Sequence, residues 1–569
     1  MNIFNRTRHR ALFNIDCNVW MYQYRRQSAF YRPPGEPLTA RHIHRYVQTI
    51  AEGGIDTLIV HAHTAQLAWY PSKTVPTVFD GYTRGDRSFF YAHILGWEMT
   101  PEQIETYLDR TVHMMDSYLD LAESGVDWLA ETAKACRECS ITPWVAIRMN
   151  DTHGATRYPA GSYMNGELYK DPAMRLRGTG CNRQEPPALE LQGLDYDQPQ
   201  VREYIFSAIR DLVENYDYDG LQLEWNRSPL CCEPDAAPET IELITDWHEQ
   251  IRALTRRQAA HQGKYYALGL RHVGTLDQMK SIGLDIRAMA KRGTLDFVTP
   301  SNFWQSSWDI PCDEWKRELG PDVAVYGAIE IAPNWLHGYL PEQTQGNTSL
   351  GKAEAVNYRL TPYSPPLLHG NAAAKFALGV DGVEVYNMPC ADQPSHWPWP
   401  DEPGCAEYSA LGALSNLDQL RNREKFYTLS SQTGYYTHPP FESPANFPCI
   451  LGSQEQRACR IPMMAEAQEN IHELVLQLVT QNRADLPPLG VSFNGAWPRF
   501  DGVRDERLLF PVATMTHHAP DQVGLNFVFP LHSIREGWNE IVVMNGASGD
   551  TRDAATIFSL ELAVRRKGL

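Results

Sequence analysis

The feature that most constrains the fold of this chain is an alternation. Ahead of residue 425, strand-like and helix-like segments follow one another in eight successive units. The strand candidates are ALFNIDCNVW (11–20), DTLIVHAH (56–63), ITPWVAIRMN (141–150), DGLQLEW (219–225), YYALGLRH (265–272), LDFVTPSN (295–302), DVAVYGAIEI (322–331) and DGVEVYN (381–387). Between them lie helical patterns. LTARHIHRYVQTIAEGG (38–54) is capped by Thr39 and stopped by glycine, TPEQ at 100–103 offers an N-cap with a following proline, and QVREYIFSAIRDLVENY covers 200–216. Strands separated by helices must pair in parallel, and eight units close better into a barrel than into an open sheet. An open dinucleotide-binding sheet would carry a glycine-rich phosphate turn after its first strand, and none is present. The alternation predicts a (β/α)8 TIM barrel over residues 1–426.

Beyond residue 427 the pattern changes period. HELVLQLVT, LNFVFPL, NEIVVMN and FSLELAV alternate apolar and polar positions, with turn signals such as FNGAW and EGWN between them. This predicts an antiparallel β-sandwich over 427–569, supporting the barrel or binding carbohydrate in its own right. A length of 569 residues agrees with more than one core.

In a (β/α)8 barrel the functional groups sit at the carboxyl ends of the strands, so the strand tips name the candidates. Strand four ends in Glu224 and strand seven in Glu330, two carboxylates that can converge across a cleft. Glycoside cleavage needs such a pair: one carboxyl protonates the departing oxygen while the other attacks the anomeric carbon or activates water. Around them the tips offer Asp16, Asn18 and Trp20; His61 and His63; Arg148, Asn150, Asp151 and His153; Gln222 and Arg227; Arg271; Ser301, Asn302 and Trp304; and Glu384, Tyr386 and Asn387. Mixed donors and acceptors beside aromatic faces suit a polyhydroxylated ligand.

At these residues the chain resembles the large group of (β/α)8 glycoside hydrolases that carry the acid/base on strand four and the nucleophile on strand seven. DYDGLQLEWNR is also similar to the DGIELDWMR-type strand of bacterial family 10-like glycoside-hydrolase-like proteins with a carboxyl-terminal sandwich. The resemblance implies a glycosidase with Glu224 and Glu330 as its working pair. The sequence departs from these patterns in three places. Leu223 stands where the large group has asparagine before the acid, Gln222 replaces one acid of the DGIELDW pattern, and Glu224 lengthens the other.

Each assignment has a structural counterpart. Glu224 could pair with Arg148 or Arg227, and Glu330 with a neighbouring lysine or arginine. Arg148, Arg227 and Arg271 could grip an acidic sugar, or could serve as counter-charges to the site's carboxylates. HAH at 61–63 has the spacing of a metal pair on a strand, but the further histidines and aspartate of metal-dependent hydrolases are missing from the later strands. The reading is therefore a metal-independent hydrolase without a cofactor. A metal-dependent hydrolase or lyase acting on carbohydrate, and a catalytically silent sugar-binding protein, remain as alternatives.

The 51 basic and 69 acidic side chains give a net charge of -18, which opposes binding to a phosphate backbone. No segment has the length and apolarity of a membrane span, and no secretory leader is visible, so a cytoplasmic location is expected. The eleven cysteines are scattered, including Cys231 beside Cys232, and Cys136 and Cys139 lack a matching pair. Carbohydrate is the expected partner, with neither nucleic acid nor membrane. Self-association into a homo-oligomer is left open.

Overall fold

The computed structural model describes the chain apart from residues 1–3, 18–20, 22–31, 34, 65, 96–98, 155–160, 177–192, 228, 303–304, 331, 334–364, 388–407, 430–445, 468–470, 513–514, 519, 550–552 and 568–569. Eight parallel strands close into a barrel: β1 (Ala11–Ile15), β2 (Thr57–His61), β3 (Thr142–Arg148), β4 (Gly220–Glu224), β5 (Ala267–Val273), β6 (Phe297–Ser301), β7 (Ala324–Ile329) and β8 (Gly382–Tyr386). Each pairs with its neighbours in sequence, and β1 closes the ring against β8 with Ala11 opposite Val383.

The helices between strands include α1 (Ala40–Glu52), α2 (Pro101–Glu123), α3 (Trp128–Glu138), α4 (Pro199–Asn215), α5 (Pro238–Gln262), α6 (Cys312–Leu319) and α7 (Pro365–Ala377). The start of α2 follows from TPEQ. Thr100 N donates to Gln103 Oε1 at 2.8 Å, and Gln103 N donates to Thr100 Oγ1 at 3.2 Å, satisfying two amides that a helix start leaves unpaired.

Period-two alternation sorts the barrel interior into layers. At the amino end Leu12, Ile59, Trp144, Ala146, Ala267, Phe297, Ala324 and Tyr326 pack with Phe4 into an apolar floor. Gly220 and Gly269 are needed there, because a Cβ at either would collide with the Trp144 or Phe297 ring, which stack 4.7 Å apart. Above the floor the inward positions turn polar, and at the carboxyl ends they carry charge.

The carboxyl-terminal region packs two larger antiparallel sheets, beside a two-stranded ladder of Arg507–Val512 with Met515–His517. One joins β9 (Lys425–Leu429), β15 (Ala555–Arg566), β11 (His472–Gln481) and β13 (Gln522–Phe529), and Val503–Asp505 adds an edge. The other joins β10 (Gln456–Met463), β14 (Gly537–Asn545) and β12 (Leu489–Phe493). Their apolar faces meet, with Phe493 of one sheet 5.8 Å from Phe529 of the other. The FNGAW turn closes through Asn494 and Gly495, both at positive φ.

The sheets also bind the barrel. Helix α7 lies against β9 and β10, Trp308 Nε1 donates to the Phe426 carbonyl at 2.9 Å, and Gly370 leaves no room for a Cβ against the Phe426 backbone. Deleting residues beyond 427 should therefore uncover apolar surface on α7 and yield aggregated protein in light scattering. A monodisperse, fully active truncation would show these sheets to be dispensable.

Candidate active site

The side chains at the barrel mouth follow from the same alternation. Counting in twos along each strand brings Asp16, His61, Arg148, Glu224, Arg271, Ser301, Glu330 and Tyr386 to the inner rim, one from the end of each strand. Both candidate catalytic carboxylates are buried, Glu224 at 2% exposure and Glu330 at 1%. Glu224 Oε1 accepts from the backbone amides of Asn226 at 2.6 Å and Arg227 at 3.1 Å, and Oε2 lies 3.8 Å from Arg148 Nε. Burial raises its pKa, opposed by the charges of Arg271 and Arg148. Glu330 Oε1 accepts from Arg271 Nη2 and Ser301 Oγ, while Oε2 has no partner among the described residues. Burial pushes Glu330 up to about 6 against the opposing pull of Arg271 and Ser301, with the Glu224 charge adding to the rise.

Arg271 is the hub of this group. It stands opposite Glu224 in the β4–β5 register, bonds Glu330, comes within 3.4 Å of Glu384 Oε1 through Nε, and lies 4.3 Å over the Tyr386 ring. Arg148 anchors a second group. Its Nη1 donates to Asp151 Oδ2 at 2.7 Å, and its Nη2 donates to Asp16 and, at 3.0 Å, to the Tyr386 hydroxyl. Asp16 also accepts from Tyr386 Oη at 2.7 Å and Asn387 Nδ2 at 2.8 Å. Burial would raise its pKa, but Arg148, His61 and these donors hold it well below the usual carboxylate range. Asp151 is likewise held low, because His153 and Arg148 outweigh burial.

Beneath the charged rim lies a neutral-donor layer that supports it. Glu384 accepts from Asn14 Nδ2 at 2.7 Å, Gln222 Nε2 at 2.8 Å and Thr299 Oγ1 at 2.6 Å, and Asn14 also donates to Gln222 Oε1 at 2.8 Å. Glu384 and Gln222 are thus engaged below the rim. Asn14 and Thr299 were not among the sequence candidates, although each lies two positions before a named tip residue on the same inward face. Ser306 was also missed. Its Oγ accepts from the Glu330 amide at 2.7 Å, a loop contact that no spacing rule announces.

The remaining candidates scatter. His63 turns away from His61, stacks on Tyr70 at 5.5 Å and places Nε2 3.3 Å from the Tyr70 hydroxyl, which is bonded to Asp211 of α4. Asn150 spends its amide on the Leu194 and Leu230 carbonyls and the Leu194 amide. His153 is partly exposed beside Asp151, Arg227 lines the turn after β4, and Asn302 bonds Ser307. Trp225, adjacent to Glu224, points outward and packs edge-on against Tyr196 at 4.8 Å. Asn18, Trp20 and Trp304 lie outside the described residues.

At the barrel mouth His61 keeps both of its ring nitrogens unsatisfied among the described residues. It is fully buried 6.1 Å from Tyr386. Burial and the nearby Arg148 charge lower its pKa to about 3, so the ring is neutral at neutral pH, with one donor and one acceptor unused.

No family model matches the sequence, and no curated protein matches it. Among solved structures, the chain is similar to the glycoside hydrolase domain of PgaB (BpsB) from Bordetella bronchiseptica, with 10% identity and a TM-score of 0.38 over 68% of this chain and 97% of that one. An Anoxybacillus alpha-amylase gives 11% identity and a TM-score of 0.37 over 96% of this chain and 100% of that one. Alpha-L-fucosidase isoenzyme 2 from Paenibacillus thiaminolyticus gives 11% and 0.38 over 72% of this chain and 49% of that one. At such distances the side chains of the barrel mouth, not the resemblance, decide the chemistry. Among the described residues no cluster of three or more His, Cys, Asp or Glu side chains is placed to hold a metal ion, and no helix is long and apolar enough to cross a membrane.

Proposed function

We propose that this protein hydrolyses glycosidic bonds of an oligo- or polysaccharide, with Glu224 as proton donor and Glu330 as the carboxylate that attacks or activates water. The observation that carries the reading is the pairing of buried carboxylates at the tips of β4 and β7, coupled through Arg271. Charge balance supports it. With Glu224 protonated as the donor, Asp16, Asp151 and Glu330 at the mouth and Glu384 beneath it face Arg148, Arg227 and Arg271, an excess of one negative charge. An oxocarbenium-like transition state is positive, and a fixed negative excess in a water-poor site stabilises it more than the neutral ground state. The unused nitrogens of His61 suit a sugar hydroxyl, which both donates and accepts. Arg148 and Arg271 are already engaged by carboxylates, which favours their role as counter-charges over capture of an acidic sugar.

Hydrolysis of aryl glycosides or plant or algal oligosaccharides by the purified protein, followed by product analysis, tests this function. A catalytically silent sugar-binding protein is the second reading, favoured by the ion pair that already engages Glu330. Ligand binding without turnover across the whole panel would select it.

The raised pKa of Glu330 gives a signed expectation. If Glu330 works as a carboxylate, kcat/KM should fall as pH drops below about 6. Stability runs the other way. A folded pKa above the ordinary 4.5 contributes stability that is fully present below pH 4.5 and is lost as pH rises through about 6. A kcat/KM profile that instead falls above that inflection would exchange the two roles.

A further inference from the structure

A second concave site lies outside the barrel mouth. Between the first turns of α7, the 416–424 segment and the ends of β11 and β15 is a cleft of about 830 Å³, lined in part by Pro365, Pro366, His369, Arg423, His472 and Arg566. Helix α7 returns from the carboxyl end of β7 to the amino end of β8, so its first turns stand at the end of the barrel that carries Glu224 and Glu330.

Two buried histidines line this cleft with unused hydrogen-bonding capacity. His369 is 4% exposed, and its Nδ1 lies 3.3 Å from the Glu424 carbonyl, which can only accept. The ring proton therefore sits on Nδ1. Burial, together with Arg423, lowers the His369 pKa to about 4, so Nε2 keeps a lone pair at neutral pH, and it has no partner among the described residues. His472 is 3% exposed with Nδ1 likewise unpartnered. A buried imidazole nitrogen left without a partner is costly, and a ligand hydroxyl that reaches it removes that cost. At the cleft's edge Arg423 and Arg566 are exposed, and neither forms an ion pair among the described residues.

The chemistry of the lining limits the ligand. Arg423 and Arg566 balance Asp418 and Glu424, leaving no net charge. The guanidiniums require acceptors, whereas the His369 lone pair and the carboxylates require donors. A carboxylate offers only acceptors, and a phosphate brings net negative charge that the balanced lining does not call for. Saccharide hydroxyls offer both, and the Pro365 and Pro366 rings supply apolar faces beside them. We propose that this cleft is a second saccharide-binding site, for neutral units of the chain whose bond is cleaved at the barrel mouth. The identity of that chain rests on the glycosidase reading, while binding at the cleft does not.

Saturation-transfer NMR on protein carrying Glu224→Gln and Glu330→Gln, which removes turnover, tests the site with neutral methyl glycosides, methyl glucuronide and inorganic phosphate as probes. Neutral glycosides are expected to bind, and Arg423→Ala with Arg566→Ala should weaken the cleft's share about tenfold, the scale of one lost charge-assisted hydrogen bond. His369→Gln provides an independent variant and should weaken the same signal. Neutral-glycoside binding that is absent, or unchanged in both variants, would overturn the site. Preferential binding of phosphate or glucuronide would overturn the ligand class. A protein that hydrolyses nothing yet loses neutral-sugar binding in these variants would sink the glycosidase reading and leave the cleft standing.

Discussion

Glu224→Gln and Glu330→Gln are each expected to lower kcat at least about 100-fold, the lower end of what a positioned acid or base contributes. Both substitutions preserve volume, so the circular dichroism spectrum should be unchanged. The two mutants should differ in rescue. Truncating a carboxylate that attacks or activates water leaves a space that azide or formate can fill, so Glu330→Ala should regain turnover with added anion, whereas the volume-preserving Glu330→Gln should not. Glu224→Gln should lose least on substrates whose leaving group departs without a proton, such as dinitrophenyl glycosides. Near-normal activity of either mutant on every substrate would remove that residue from the mechanism. Measuring both on one activated and one unactivated glycoside therefore separates the roles as well as the requirement.

Much of the architecture was legible because it depends on period and punctuation. DGLQLEW alternates so that Gly220, Gln222 and Glu224 face the barrel axis while Leu221 and Leu223 face the helices, and the same count along seven other strands yields the closed ring. The arithmetic that placed Glu224 at the rim also places Asn14 and Thr299 one layer below it, where they bind Glu384. What the sequence could not show is which way the chain turns after a strand ends. HAH reads as two histidines on one face, but β2 stops at His61. His63 enters a short ladder with Ala68 that carries it toward α4, and the pair diverges. Trp225 likewise belongs to the outer layer, because alternation from Glu224 sends the next side chain outward. Most partners of each arginine were also beyond spacing arguments, although the approach of Arg148 to Glu224 was among those expected. Arg148 and Arg271 meet their carboxylates from three or more strands, and only barrel closure brings those strands together.

Arg271→Met is expected to be the most damaging single change at the mouth. Arg271 is 1% exposed, and its guanidinium serves Glu330 directly and Glu384 and Glu224 through space. Methionine keeps much of the aliphatic stem but leaves these buried carboxylates without their shared cation. Breaking a buried pair in this way costs about 3–5 kcal/mol, so Tm should fall clearly. Because Arg271 holds the Glu330 pKa down against burial, its loss should also move the acidic limb of kcat/KM above about 6. Arg271→Lys restores the charge without the planar fork, and should recover part of the stability and bring the limb partly back. A counter-charge role predicts equal fractional losses on neutral and acidic glycosides. If KM rises for acidic glycosides alone while Tm and the pH limb stay in place, Arg271 grips the ligand, and the mouth is built for a carboxylated sugar.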